Sequence, residues 1–134
     1  MLFGLQLKPL EEDYRQKFPP QYICDDGHRV RSLSEQAIDN WLYRHKIHHA
    51  YEPVIPIPEQ LIPDFMVNKS TGECVYIEFW GMLDDPIYRE RMNKKSQVYA
   101  NRHFPLIEIR PSDLKNLDFM LWKKLEKKGV PVSP

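Results

Sequence analysis

The sequence predicts an α/β fold in which a mixed sheet is flanked by helices, in the order α-β-β-β-α-β-α. Three observations lead there. Two β-rich apolar runs, 61–67 and 74–80, are joined by a short glycine turn. Helical apolar periodicity with capping residues precedes and follows them. A further strand-like run, 104–109, is separated from the hairpin by a helix-length segment, which suits a crossover to a fourth strand.

Residues 1–31 read as an irregular N-terminal arm, with Phe18-Pro19-Pro20 and Asp25-Asp26-Gly27 as turn signals. Ser32 and Glu35 have capping-box spacing and open a first helix, with Leu33, Ala37, Ile38, Trp41 and Leu42 as its apolar stripe. It fades at His45-Lys46, and 48–55 reads as a first strand. After the hairpin, Asp84-Asp85-Pro86 starts a second helix reaching about Arg102, with Asp as N-cap and Pro in the first turn. Pro111-Ser112-Asp113 caps a last helix ending at Gly129, with Leu114, Leu117, Leu121, Trp122 and Leu125 as core stripe.

The hairpin carries the chemistry. With Ser70-Thr71-Gly72 as a three-residue loop, Lys69 pairs with Glu73. Counting back along the ladder sets Asp64 opposite Glu78. Opposed carboxylates repel, and their Cβ atoms stand only about 5 Å apart. That spacing lets both reach one Mg2+ at ~2.1 Å, so a cation between them makes the pair tolerable. Period 2 puts Tyr76, Glu78 and Trp80 on one face and Val75, Ile77 and Phe79 on the other. Taken singly, each acid also reads as a turn residue or a solvated strand residue.

Glu35 sits at the edge of the first helix's stripe, where capping and aiming a third carboxylate at a metal are rival roles. On the second helix Tyr88, Arg91, Lys95 and Tyr99 fall within roughly 80° of one face. Phenols and cations beside a carboxylate pair suit phosphodiester chemistry, where cations neutralise charge on the phosphate. An amphipathic face with snorkelling cations is the other reading. Trp80 reads either as a stacking or wall residue or as core, and Gly81 permits a sharp exit from the strand. Cys24 and His28 are spaced like half a zinc site, but zinc takes four ligands and no second Cys pair exists, so no zinc is expected there. His48-His49 carries no Ser or Cys motif, hence no triad.

The 134 residues suit one domain with a real core. No apolar run is long enough to cross a membrane. Met1 to Leu10 lacks a basic region before an apolar stretch and is not read as a signal peptide. Two cysteines far apart read as reduced and intracellular. Net charge is zero, yet residues 1–85 carry an acidic excess and 86–134 a matching basic one. That split hints at a polyanionic partner for the basic half, or at solvated helix faces.

Arg31-Ser32-Leu33-Ser34-Glu35, Tyr51-Glu52, Pro63-Asp64-Phe65 and Glu78-Phe79-Trp80-Gly81, with Tyr88, Arg91 and Lys95, resemble the PD-(D/E)XK nuclease superfamily, and within it the small archaeal and phage-type nuclease-like domains. The resemblance spans residue 29 to about 128. It implies a restriction-endonuclease-like αβββαβ core with a C-terminal helix, occupying 32–134 behind the 1–31 arm. It implies a Mg2+-dependent deoxyribonuclease, with Mn2+ as substitute. Asp64, Glu78 and the Phe79 carbonyl would hold the metal, and Glu35 would complete its shell. Tyr88, Arg91, Lys94 and Trp80 would contact nucleic acid. The family's lysine two residues after the strand acid is Trp80 here, and Lys95 or Lys94 on the next helix is positioned to replace it. DNA is the expected partner, the sequence does not choose it over RNA, and cutting both strands favours a homodimer. The alternative is an inactive nuclease-fold module that binds nucleic acid or a protein.

Overall fold

The computed structural model describes residues 7–134. Residues 1–6, and with them most of the Met1 to Leu10 stretch, lie outside the described residues. The elements are α1 (Lys8–Lys17), β1 (Tyr22–Ile23), β2 (Arg29–Val30), α2 (Leu33–Arg44), β3 (Ala50–Tyr51), β4 (Phe65–Asn68), β5 (Cys74–Phe79), α3 (Pro86–Asn101), β6 (Leu106–Ile109) and α4 (Leu117–Lys127).

A four-stranded mixed sheet runs β3-β4-β5-β6. The first three strands are antiparallel, and β6 returns parallel to β5 after the α3 crossover. Helices cover both faces. Ile38, Trp41 and Leu42 of α2 and Leu121 and Leu125 of α4 pack on Phe65, Val67, Val75, Ile77, Ile107 and Ile109. On the opposite face, Val98 and Tyr99 of α3 meet Tyr76, Leu61, Ile55 and Leu7. Trp41 is 1% exposed, and its indole donates to Asp118 at 2.9 Å. Among the described residues no helix is long and apolar enough to cross a membrane.

The hairpin loop forms as the turn chemistry requires. Gly72 has φ 94°, and Lys69 donates to the Glu73 carbonyl at 2.8 Å. Asp85 caps α3 by accepting from the amides of Ile87 and Tyr88.

Several expectations are corrected. Residues 8–30 are not irregular: they hold α1 and the antiparallel β1–β2 hairpin. Helix α1 escapes apolar periodicity because the residue it buries is Glu11, an acid. The first strand shrinks to two residues, since Glu52 takes φ 50° and Pro53, Pro56 and Pro58 lack the donors a ladder needs. The second strand starts at Phe65, after Pro63. Pro111–Asn116 is a 3-10 turn ahead of α4. In α2, Leu33 and Ala37 are exposed, and the buried face is Glu35, Ile38, Asp39, Trp41 and Leu42. Two acids on that buried face need an account.

Candidate active site

Pairing of Phe65 with Ile77 and of Val67 with Val75 brings Asp64 opposite Glu78, the register the loop dictates. Both side chains are buried. Asp64 Oδ2 accepts the Phe79 amide at 2.7 Å, which ties the acid across the end of the ladder. Glu78 Oε2 accepts the Tyr99 hydroxyl at 2.6 Å and lies 2.7 Å from Lys95 Nζ. Its other oxygen, Oε1, is buried with no hydrogen-bond partner. An orphaned carboxylate oxygen in the interior is costly.

Helix α3 supplies the cations. Lys95 is fully buried, and its ammonium also donates to the Ile62 carbonyl at 2.7 Å. One turn earlier, Arg91 is equally enclosed. Helix α1 closes over both: Glu11 Oε1 lies 3.0 Å from Arg91 Nε and 3.6 Å from Lys95 Nζ. The Arg91 guanidinium stacks 4.1 Å from the Tyr14 ring centre. Arg31 fastens the same helix from the far side, donating to the Phe18 carbonyl at 2.8 Å while pairing with Glu52.

Glu35 stands at the start of α2. Ser32 Oγ accepts its amide at 3.1 Å, the forward half of the capping box. The return bond goes one residue further back, since Glu35 Oε1 accepts the Arg31 amide at 2.9 Å and the Tyr51 hydroxyl at 3.1 Å. These bonds keep it beside the pair: Glu35, Asp64 and Glu78 do not bring one oxygen each within 4.8 Å of both others. In this arrangement Glu35 is therefore a neighbour of the pair.

The charges decide what the site wants. Glu11, Glu35, Asp64 and Glu78 are buried here beside two buried cations, Arg91 and Lys95, with the partly exposed Arg15 4.0 Å from Glu11, so negative charge is in excess. Protons take up part of it. Burial pushes the Glu78 carboxyl from the ordinary 4.5 up to about 8 against the pull of Lys95, and Asp64 adds to the rise. Burial and then the Asp64 charge push Glu35 to about 8 as well. Asp64 is also raised by burial, with Lys95 and Arg91 opposing.

Carboxyls whose folded pKa exceeds the unfolded value bind more protons in the folded state, so their effect is to lower stability as pH rises from about 5 to about 8. The metal-free protein is expected to lose melting temperature across that window. His49 is raised too: burial lowers it, and Asp39, the Ile47 carbonyl and Asp26 together outweigh burial, and a raised histidine acts with the same sign. Comparison with Glu78→Gln isolates the acids: its slope is expected to be shallower than that of the wild type. Equal slopes would show that Glu78 is ionised throughout.

The donor set suits a hard divalent cation. It is all oxygen, it includes an orphaned buried atom, and it carries the charge excess such an ion removes. Mg2+ commonly takes only one or two protein carboxylates, leaving other positions to water and phosphate.

Of the residues singled out in the sequence, Glu35, Asp64, Glu78, Tyr88, Arg91 and Lys95 come together. The Phe79 carbonyl accepts the Tyr88 hydroxyl at 3.0 Å, which occupies one of its two lone pairs. The four residues expected to contact nucleic acid differ in exposure. Trp80 is fully buried with its indole bonded to Glu108 at 2.8 Å, so no face is open for a base. Tyr88 and Arg91 are enclosed. Lys94 is partly exposed and pairs with Glu90 at 3.5 Å. Sequence reasoning missed Glu11 and Tyr14. The available signal was Glu11-Arg15 spacing beside Pro9, a capable first helical turn.

Comparison of the chain with family models, with characterised proteins and with solved structures gives no match in any of the three.

Proposed function

We propose that the chain is a metal-dependent nuclease of the restriction-endonuclease-like type that hydrolyses DNA phosphodiester bonds. The observation that carries this reading is the buried Asp64–Glu78 pair with an orphaned oxygen, held against Lys95 and Arg91 with negative charge in excess. When bound, Mg2+ or Mn2+ supplies Lewis acidity toward the phosphate and lowers the pKa of water. Asp64 and Glu78 would hold the ion. Glu35, with its carboxyl near 8, exchanges a proton close to neutral pH, which suits acid–base work beside them. Lys95 takes the part of the lysine that the strand motif lacks, because its ammonium touches the strand acid itself. Arg91 is the second phosphate-neutralising group. Glu11 now sits against both cations as a single negative charge, where a phosphodiester would sit. A substrate must therefore displace Glu11, and α1 with it.

The test is cleavage of supercoiled plasmid and short labelled duplexes and single strands, with Mg2+ or Mn2+ and with chelator. Metal-dependent nicking removed by chelator is the expected result. Full-length substrate throughout, with tight binding retained, would leave the fold as a nucleic-acid-binding module.

A further inference from the structure

Outside the acid pair, a second set of ligating side chains converges between the β1–β2 turn, α2 and the segment leading into β3. His28 Nδ1 is 2.9 Å from both Asp39 Oδ2 and Asp26 Oδ2. His49 Nε2 is 3.0 Å from Asp26 Oδ2 and 3.1 Å from Asp39 Oδ2. The four donor atoms lie within 4.8 Å of one another, the single such group of three or more among the described residues.

Hydrogen bonding inside the group, His28 Nδ1 with Asp39 Oδ2 at 2.9 Å, accounts for only part of it. The His49 side chain is 4% exposed and that of Asp39 0%, yet His49 Nε2 and Asp39 Oδ1 form no hydrogen bond at all. His49 Nδ1 stands 2.8 Å from the Ile47 carbonyl. A carbonyl only accepts, so Nδ1 carries the proton. Nε2 then faces two carboxylate oxygens, and either a second proton or a metal ion must lie among these atoms. Lone pairs converging in the interior repel unless a cation lies among them. Asp26 is oriented likewise: its Oδ1 accepts the His28 amide at 3.0 Å, leaving Oδ2 for the shared point. A carbonyl behind a ligating imidazole and an amide behind a ligating carboxylate are the outer partners that fix metal ligands.

We propose that Asp26, His28, Asp39 and His49 form a structural Zn2+ site. Two imidazole nitrogens and two carboxylate oxygens are ligands zinc accepts, whereas Mg2+ and Ca2+ favour oxygen alone. The observed 2.9–3.1 Å separations need to open only slightly to reach the roughly 3.3 Å edge of a tetrahedron with ~2.0–2.1 Å bonds. Two carboxylates balance the dication, so the buried site is neutral. Four protein ligands close the shell, which makes the role structural and not catalytic. The ion would clip the β1–β2 hairpin to the helix that presents Glu35. The sequence pointed to no zinc at Cys24 and His28; in the proposed set Cys24 has no part, and His28 joins Asp26, Asp39 and His49.

The test uses the full chain, stripped with chelator, then given Zn2+ alone and passed through gel filtration for elemental analysis. One retained Zn2+ per chain and a raised melting temperature are expected. His28→Ala and Asp26→Asn, at the more accessible side of the cluster, are each expected to weaken binding at least about tenfold, while Asp64→Asn retains it. Should His28→Ala not fold, Asp26→Asn carries the comparison. No retained zinc with an unmoved melting temperature overturns the proposal. So does zinc that both cluster variants keep, or that only Asp64→Asn loses.

Discussion

Asp64→Asn is expected to lower metal-dependent cleavage by roughly 10³-fold or more, since Lewis-acid stabilisation amounts to several kcal/mol of transition-state energy. The fold should survive it. Asp64 Oδ2 accepts the Phe79 amide at 2.7 Å, and a correctly oriented Asn carbonyl keeps that bond. One charge also leaves a site that carries too many of the same sign. The variant is therefore expected to melt at or slightly above the wild type without metal, and to gain less when metal is added. Cleavage kinetics and melting curves on the same preparation check both. An active Asp64→Asn would remove the acid pair from the mechanism.

Lys95→Met is expected to act in the opposite way and to be among the most destabilising single changes. Lys95 is fully buried, and its ammonium neutralises Glu78 at 2.7 Å while lying 3.6 Å from Glu11. Removing one partner of a buried ion pair typically costs about 3–5 kcal/mol, because the other charge stays buried and unanswered. For a chain of this length that is a fall of about 10–20 °C in melting temperature near pH 8. At pH 5 the loss should be smaller, because Glu78, with its carboxyl near 8, is already protonated there. Thermal melts at both pH values check this. A loss under about 1 kcal/mol, equal at both, is what a snorkelling surface lysine would give.

How far the sequence revealed this arrangement depends on the kind of interaction involved. The Asp64–Glu78 register was legible because a glycine in the loop and period-2 side chains leave few alternatives. The α3 cations were legible because Arg91 and Lys95 share a helical face with Tyr88 and Tyr99. Helix α1 was not, because Glu11 and Tyr14 dock on charge and a stacked ring where an apolar stripe is usual. Asp39 hid in the same way. It lies on the buried face of α2 between Ile38 and Trp41, but an aspartate in a helix reads as solvated until the fold brings His28 and His49 to it. Trp80 read as a stacking residue, a wall or core, and only the stacking reading lacks an open face. Glu108 on β6 holds its indole in the interior, and the indole ring lies 5.9 Å from Lys95 Nζ, as a wall of the site.

The most direct measurement is calorimetric titration of Mn2+ into the wild type and Glu78→Gln, each with zinc preloaded and again with an uncleavable oligonucleotide present. Binding by the wild type that Glu78→Gln loses, with protons released on binding near pH 7, is what an acid pair sharing a divalent ion predicts. Identical titrations for the two proteins, with or without oligonucleotide, would contradict it.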